Sequence, residues 1–229
     1  MVLLRIRALT LQVIICFFFS FYLTCVASVV NEIIEKGGKA VANRNSVVDG
    51  GSIVEHALKE FGSCDILINN AGILRDKSFA KMTKSDWDEV LAVHLGGTFA
   101  LCHAAWPVML KQNYGRIINI GSASGLYGNF GQANYGAAKM AIFGLTNTLA
   151  KEGQKANIAV NCVVPVAASR MTEGLLPPAM FEMLDPKHIV PMVTYLAHES
   201  SDHSGECFEV GGGWFSQVCS IVYSIFHYD

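Results

Sequence analysis

Tyr135 and Lys139 stand four residues apart in the string YGAAK (135–139), and Ser122 lies thirteen residues before the tyrosine. If this string is helical, one turn returns both side chains to the same face, where a phenol and an ammonium can meet. Phenol, ammonium and hydroxyl together suit the movement of a proton to or from an alcohol oxygen while a hydride leaves or joins its carbon. A phenol is a poor base at its reference pKa of about 10. A neighbouring cation favours the phenolate and brings that pKa toward working pH. The serine hydroxyl can orient the substrate oxygen and share its developing charge. Taken alone, a Y-x-x-x-K pair is as well explained by a packed tyrosine and a solvated lysine, so the surrounding elements decide.

Those elements alternate between strand-like and helix-like runs. Val29–Lys36 reads as the tail of a helix stopped by Gly37-Gly38, and Lys39–Ala42 as a short strand. Gly51–Phe61 is helical, with Ile53, Ala57 and Phe61 on one face, and Asp65–Ile68 is a buried strand running into Asn69-Asn70-Ala71-Gly72. A long helix starts near Ser85, capped by Thr83 or Ser85, and runs toward Leu101. The strand Gly115–Ile120 delivers Ser122 into a loop from Gly121 to Gln132, and Ala133–Gly153 is the helix that carries Tyr135 and Lys139. Ala159–Val164 and Cys207–Val210 are further strands, with a helix at Asp185–His198 between them. The alternation predicts an α/β fold: a Rossmann-like, doubly wound parallel sheet covered on both faces. Its catalytic hydroxyl would sit where a strand ends, the usual place for ligands in such sheets.

Composition narrows the function further. Of 229 residues, 52% are apolar and 16% charged, which excludes a disordered chain. A net charge of −2 implies no basic face and no nucleic-acid partner. The seven cysteines form no C-x-x-C pair and the seven histidines no H-E-x-x-H, so no metal site is expected and the thiols read as reduced and mostly buried. Both ends differ from the middle. Arg5 and Arg7 are the only charges before Glu32, and Ala8–Val30 is an uncharged run of 23 residues. Residues 1–30 therefore read as a membrane anchor or secretory signal, as a misassigned start, or as a buried core segment. Residues 218–229 are likewise apolar and end in HYD, which is no peroxisomal or ER-retention tripeptide. Residues 31–217 remain as the catalytic unit.

N-N-A-G at 69–72, Ser122 and Y-G-A-A-K at 135–139 occur in an order and spacing that resemble the short-chain dehydrogenase/reductase family, over roughly residues 30–217. Within that family, ILRDKSFAKM (73–82), YGRIINIGSASGLYGNFGQANYGAAK (114–139) and SRMT (169–172) look most like one branch. It holds the (3R)-hydroxyacyl-CoA and 17β-hydroxysteroid dehydrogenases of peroxisomal multifunctional enzymes. The resemblance implies Tyr135 as general acid/base, Ser122 as partner of the substrate oxygen, and Lys139 as holder of the nicotinamide ribose. It places Asn70, Ala71 and Gly72 along the cofactor and Asn45, Ser46 and Val47 beside the adenine. Ala167, Ala168, Ser169 and Arg170 fall near the nicotinamide and pyrophosphate. It further implies NAD as cofactor, an acyl-CoA or steroid as substrate, a peroxisomal setting and a homodimer. The long helices would form that dimer, with Ala137, Ala138, Ile142 and Leu145 supporting close contact.

Four departures from the family pattern change the expectations. His94 takes the place of an asparagine that supports a proton-relay water, so a catalytic relay through His94 is one reading and a structural histidine the other. Asn45 replaces the adenine-side acid, and Pro165-Val166 replaces a P-G turn. The largest departure is that no G-x-x-x-G-x-G and no ribose-binding acid occur near the start. The fold expected here thus lacks the glycine-loop βαβ unit that opens such sheets, leaving the strands at 39–42 and 65–68 without neighbours. Leu11–Phe17 has the length and residue types to slip into that gap. Two classes of function follow: a nicotinamide-dependent oxidoreductase, or a non-catalytic, membrane-attached relative that keeps the fold without binding cofactor.

Overall fold

Short, continuous apolar runs become strands here because helices cover both faces of the sheet they enter. GRIINI (115–120) is buried at all six positions, and IAVNCVVPV (158–166) is buried at six of nine. In the computed structural model, residues 2–7, 10–16, 23–168 and 178–219 are described. The strands are β1 (Val2–Arg7), β2 (Thr10–Cys16), β3 (Lys39–Asn43), β4 (Ile66–Asn69), β5 (Gly115–Ile120), β6 (Ile158–Val166), β7 (Cys207–Gly211) and β8 (Trp214–Gln217). They form one sheet in the order β3-β2-β1-β4-β5-β6-β7-β8. β4 to β7 run parallel, as do β2 and β3, whereas β1 is antiparallel to both β2 and β4 and β8 is antiparallel to β7.

The helices are α1 (Leu23–Glu35), α2 (Gly50–Phe61), α3 (Lys84–Leu91), α4 (Gly97–Gln112), α5 (Ala123–Tyr127), α6 (Ala133–Gly153), α7 (Pro178–Met183) and α8 (Val190–Ala197). Residues Val47, Ile53, Leu67, Val93, Leu101, Ile117 and Val160 fill the core on one face of the sheet. Ile118, Val163, Leu196 and Phe208 fill it on the other. Each core aliphatic cut to alanine costs about 2–5 kcal/mol.

Local chemistry sets the boundaries. Asp49 caps α2 through the Ser52 N–H, and Gly62 ends it in the left-handed region at φ +75. Thr83 caps α3 in a reciprocal box, accepting from the Asp86 N–H while the Asp86 carboxylate accepts from the Thr83 N–H. Those bonds, with the Lys77 ammonium, hold the Asp86 carboxyl down at about 2. α3 continues through a π turn, Ala92–Gly96, into α4, so the long helix expected to end near Leu101 runs to Gln112. Among the described residues it is the one helix long and apolar enough to cross a membrane. Its buried residues, Leu101, Cys102, Ala105 and Met109, instead face the sheet.

Several expectations are corrected. The stretch Gly121–Gln132 is not all loop, because Ser122 accepts the Ser124 N–H and starts α5. The Asp185–His198 helix is broken into a 3-10 turn, Pro186–His188, and α8, with a proline in the first turn of each. After β7 the chain turns at Gly212 and Gly213, φ +53 and +84, into an exposed strand, β8. The gap beside β3 and β4 is filled. β2 pairs with β3 in the register Gln12↔Lys39 to Cys16↔Asn43, close to the Leu11–Phe17 slip, and β1 bridges β2 and β4. Unpaired strand groups in a buried sheet are costly, and β-forming apolar residues supply the missing partners. The described parts of the run at 8–30 are β2 and the start of α1. Of the tail at 218–229, Val218 donates to the Cys207 carbonyl, and residues beyond Cys219 lie outside the described ones.

Candidate active site

Ser122 and the Tyr135–Lys139 turn come together because two glycines let their helices touch. A Cβ on Gly125 of α5 would lie 2.9 Å from the Met140 nitrogen, and one on Gly136 of α6 would lie 2.9 Å from the Ser124 oxygen. Both contacts are closer than a real Cβ makes, so alanine at either site pushes α5 off α6. With the two helices in contact, the Ser122 hydroxyl reaches the Tyr135 oxygen as a hydrogen-bond partner. The site sits at the carboxyl end of β5, whose last residue, Ile120, offers its carbonyl to the Lys139 ammonium at 2.6 Å.

Electrostatics here differ from the sequence expectation. Burial raises the Tyr135 phenol above its ordinary value, and the nearby Asp76 adds to this, while the Ser122 bond opposes it. Lys139 does not lower it, because its ammonium is turned to the Ile120 carbonyl and lies 5.6 Å from the centre of the Tyr135 ring. Burial lowers the Lys139 ammonium to about 8. Of its three N–H donors, one has a partner among the described residues, and two are free to receive a ligand's oxygens.

His94 sits inside the π turn, 3% exposed, with its ring edge-on to Tyr135 at 5.0 Å between centroids. Its Nε2 lies 2.8 Å from the Ile73 carbonyl and 3.0 Å from the Ile73 N–H. A Cβ on Gly72 would meet the His94 ring at 2.4 Å, so the glycine of N-N-A-G makes room for the imidazole. Burial, reinforced by the Lys139 charge, pushes His94 down to about 4. By position His94 packs against Tyr135 and bonds the turn after β4, and its Nδ1 has no partner among the described residues.

Two asparagines escaped the sequence reading. Asn134, fully buried, donates to the Arg75 and Asp86 carbonyls and accepts the Tyr135 N–H at 2.8 Å, tying the catalytic turn to the loop after β4. Asn119, also fully buried, accepts from Asn69 at 2.9 Å and donates to Thr146 at 2.9 Å, locking β4, β5 and α6 together. The available signal was a polar residue inside an otherwise apolar strand, N in GRIINI, and N directly before the tyrosine.

The residues expected along a dinucleotide divide. Asn70 and Gly72 are exposed at the end of β4, and Ala71 is half-buried against the core. Asn45 is exposed and Ser46 half-buried, but the Val47 side chain is turned inward, 1% exposed, against Gly97. Ala167 is half-buried, and Ala168 is buried with its N–H bonded to Leu184. Ser169 and Arg170 lie outside the described residues. Val166, in place of the family's glycine, packs against Gly211, where a Cβ would clash with its carbonyl. Among the described residues, no group of three or more His, Cys, Asp or Glu side chains could hold a metal.

A diphosphate needs a glycine-rich turn opening onto a helix N-terminus. No glycine precedes Gly37 in this chain, and the strand beside β4 is antiparallel to it. The free donors of Lys139 would suit the nicotinamide end of a dinucleotide, and no glycine-rich turn for its diphosphate is present among the described residues. Of the four residues expected at a dimer contact, Ala138 and Ile142 are buried in this protomer's own core, Leu145 is half-buried and Ala137 is exposed.

The chain is similar to known proteins over most of its length. The chain is 57% identical over 190 residues to peroxisomal multifunctional enzyme A of Dictyostelium discoideum, covering 83% of this chain and 43% of that protein. It is 57% identical over 191 residues to the peroxisomal hydratase-dehydrogenase-epimerase of Saccharomyces cerevisiae, covering 83% of this chain and 21% of the relative. The structure of full-length peroxisomal multifunctional enzyme type 2 from Drosophila melanogaster superposes with a TM-score of 0.75 at 47% identity, over 86% of this chain and 34% of that one. The chain thus spans less than half the length of each of these relatives. Residues 23–175 match the short chain dehydrogenase family, and with the Ser122, Tyr135 and Lys139 geometry in place, the chain belongs to that family.

Proposed function

We propose that this site carries out the proton transfer in reversible oxidation of a secondary alcohol. A 3-hydroxyacyl-CoA is the first substrate class and a 17β-hydroxysteroid the second, in a peroxisomal setting. The observation that carries the reading is the apposition of Ser122 with the Tyr135–Lys139 turn through Gly125 and Gly136. The dehydrogenase named in the yeast relative and the peroxisomal names of the relatives support the substrate and the setting. Ser122 orients the substrate oxygen, Tyr135 takes or gives the hydroxyl proton, and Lys139 directs its free donors to the cofactor ribose. His94 and Asn134 hold the tyrosine in place. NAD, when bound, supplies the hydride chemistry. Lys139, Asn70, Ala71 and Gly72 would hold its nicotinamide end, with Ala167, Ala168, Ser169 and Arg170 alongside, and Asn45, Ser46 and the Val47 backbone would flank the adenine. The partner is a second copy of the chain, met through α4 and α6, where Phe99, Leu110 and Met140 are exposed.

The test is NADH production from a (3R)-3-hydroxyacyl-CoA at millimolar NAD, which offsets a weak diphosphate site, with a 17β-hydroxysteroid in parallel. Activity lost in Tyr135→Phe supports the proposal. No turnover at saturating NAD favours a second reading, that of a relative keeping the fold without the reaction. The missing glycine cradle is the observation behind that alternative.

A further inference from the structure

Gln132 stands at the start of α6, where a short side chain that caps the helix is the usual choice, and its own side chain caps nothing. Another use must account for it. Its backbone carbonyl accepts the Gly136 N–H at 2.7 Å, at the start of the helix that carries Tyr135. Its side chain reaches out to three other residues. Oε1 accepts from the Ser124 hydroxyl at 2.7 Å and from the Asn129 amide at 3.0 Å, and Nε2 donates to the Asp76 carboxylate at 2.7 Å. Asp76 is available because the cations on either side of it are engaged elsewhere. Arg75 pairs with Glu89 and Lys77 with Asp86, each at 3.0 Å. One residue along from each partner, the Lys77 N–H donates to the Gly131 carbonyl at 2.9 Å, so a backbone bond runs beside the side-chain bond.

Polarity is fixed along this chain of bonds. An ionised carboxylate only accepts, so Nε2 must face Asp76 and Oε1 must face Ser124 and Asn129. The Ser124 N–H in turn donates to the Ser122 hydroxyl oxygen at 3.2 Å. A carboxylate in the loop after β4 thereby orients, through one amide, the turn that presents the Ser122 hydroxyl to Tyr135. Ser122 starts α5 and Tyr135 lies in α6. Gln132 joins both helices, α6 through its carbonyl and α5 through its side chain.

We propose that Gln132 and Asp76 are positioning residues, a clasp of fixed polarity that holds the Ser122 hydroxyl in register with the Tyr135 phenol. The inference rests on the proton-transfer reading of the site and adds to it two residues that act through Ser124. Two readouts separate the clasp from the reaction. The Tyr135 Cζ signal in carbon-13 NMR at neutral pH, identified by its loss in Tyr135→Phe, reports the phenol's hydrogen bond and needs no turnover. Steady-state rates with a (3R)-3-hydroxyacyl-CoA at millimolar NAD give kcat and KM. Gln132→Glu keeps an acceptor for Ser124 and Asn129 but sets carboxylate against carboxylate, which opens the clasp. It should move the Tyr135 signal in the direction that Ser122→Ala moves it. It should also lower kcat about threefold to tenfold, the loss of one hydrogen bond, with KM for NAD within about twofold. Asp76→Asn combined with Gln132→Glu restores the bond with donor and acceptor exchanged, and should return both readouts most of the way to the parent. Where Gln132→Glu does not fold, Asp76→Ala removes an exposed carboxylate without a clash and carries the same two readouts. Three results would overturn the proposal: a Tyr135 signal unmoved in Gln132→Glu and in Asp76→Ala, kcat in both within about twofold of an active parent, or a double variant no better than Gln132→Glu. A parent that turns over no substrate defeats the reaction reading instead, and the Tyr135 signal then decides the clasp alone.

Discussion

The sheet has two wings that obey different rules. From β4 to β7 every neighbour is parallel, and buried polar residues link strand to helix, as in Asn69 to Asn119 to Thr146. From β3 to β1 an antiparallel strand stands between β2 and β4, without a glycine turn at its end. The first wing ends in a constellation that can move a proton. The second completes hydrogen bonding in the sheet and, among the described residues, shows no glycine-rich turn for a diphosphate. Closing a sheet needs only β-forming residues of suitable length, whereas binding a dinucleotide needs particular residues at a particular turn. One wing can therefore satisfy the fold without serving the chemistry.

The largest effect expected is on the catalytic wing. Tyr135→Phe should lower turnover about 100- to 10,000-fold, the usual range for a lost acid/base, while NADH binding stays within about twofold. Steady-state rates within tenfold of the parent would remove Tyr135 from the role. Lys139→Met should reduce NADH affinity and, through it, turnover, because the ammonium's remaining donors are the ones that would hold the ribose. Unchanged NADH affinity would reduce the lysine to a packing residue.

Next in size is an acid sensitivity confined to the same wing. His94 is lowered to about 4 when folded, against 6.5 when free. As pH falls from 6.5 toward 4 the unfolded chain takes up a proton that the folded chain refuses, so stability present above 6.5 is lost in that window. The loss is on the order of 3 kcal/mol from this one group. Urea midpoints should fall over that range in the parent and much less in His94→Asn. Equal slopes in both proteins would show that the acid response comes from elsewhere.

A smaller effect tests how the hydroxyl reaches the phenol. Gly125→Ala should cost about 1–3 kcal/mol through overpacking of α5 on α6, with a larger proportional loss in kcat than in thermal stability. A fully active Gly125→Ala would mean that the close approach of the helices is not what positions Ser122.

Legibility in the sequence follows the same division. Ser122, Tyr135 and Lys139 could be read because a helical turn and a strand end are local features, and the GRIINI run and the 133–153 helix lie where expected. The direction of the Lys139 ammonium could not be read, because the Ile120 carbonyl that holds it is nineteen residues away in sequence. Nor could the burial of the Val47 side chain, which depends on a glycine fifty residues on, Gly97. Polar residues with structural roles, Asn119 and Asn134, gave little warning because their partners are backbone carbonyls and side chains on other elements. At the start of the chain, apolar composition alone admitted membrane, signal and core readings. That β1 and β2 pair beside β3 and β4 depends on the needs of strands far along the chain, which composition does not carry.

The contrast between the wings is tested most directly by titrating NADH into this chain and into a chimera whose residues 2–43 are replaced by a glycine-loop βαβ unit. Two or three missing backbone donors at about 1–1.5 kcal/mol each amount to about 3 kcal/mol, or about 100-fold in Kd. We expect calorimetry to give the chimera an affinity at least about 100-fold tighter than the chain as it stands. Equal affinities, with micromolar binding by both, would contradict the division of labour and show that Lys139, Asn70 and their neighbours suffice to capture the cofactor.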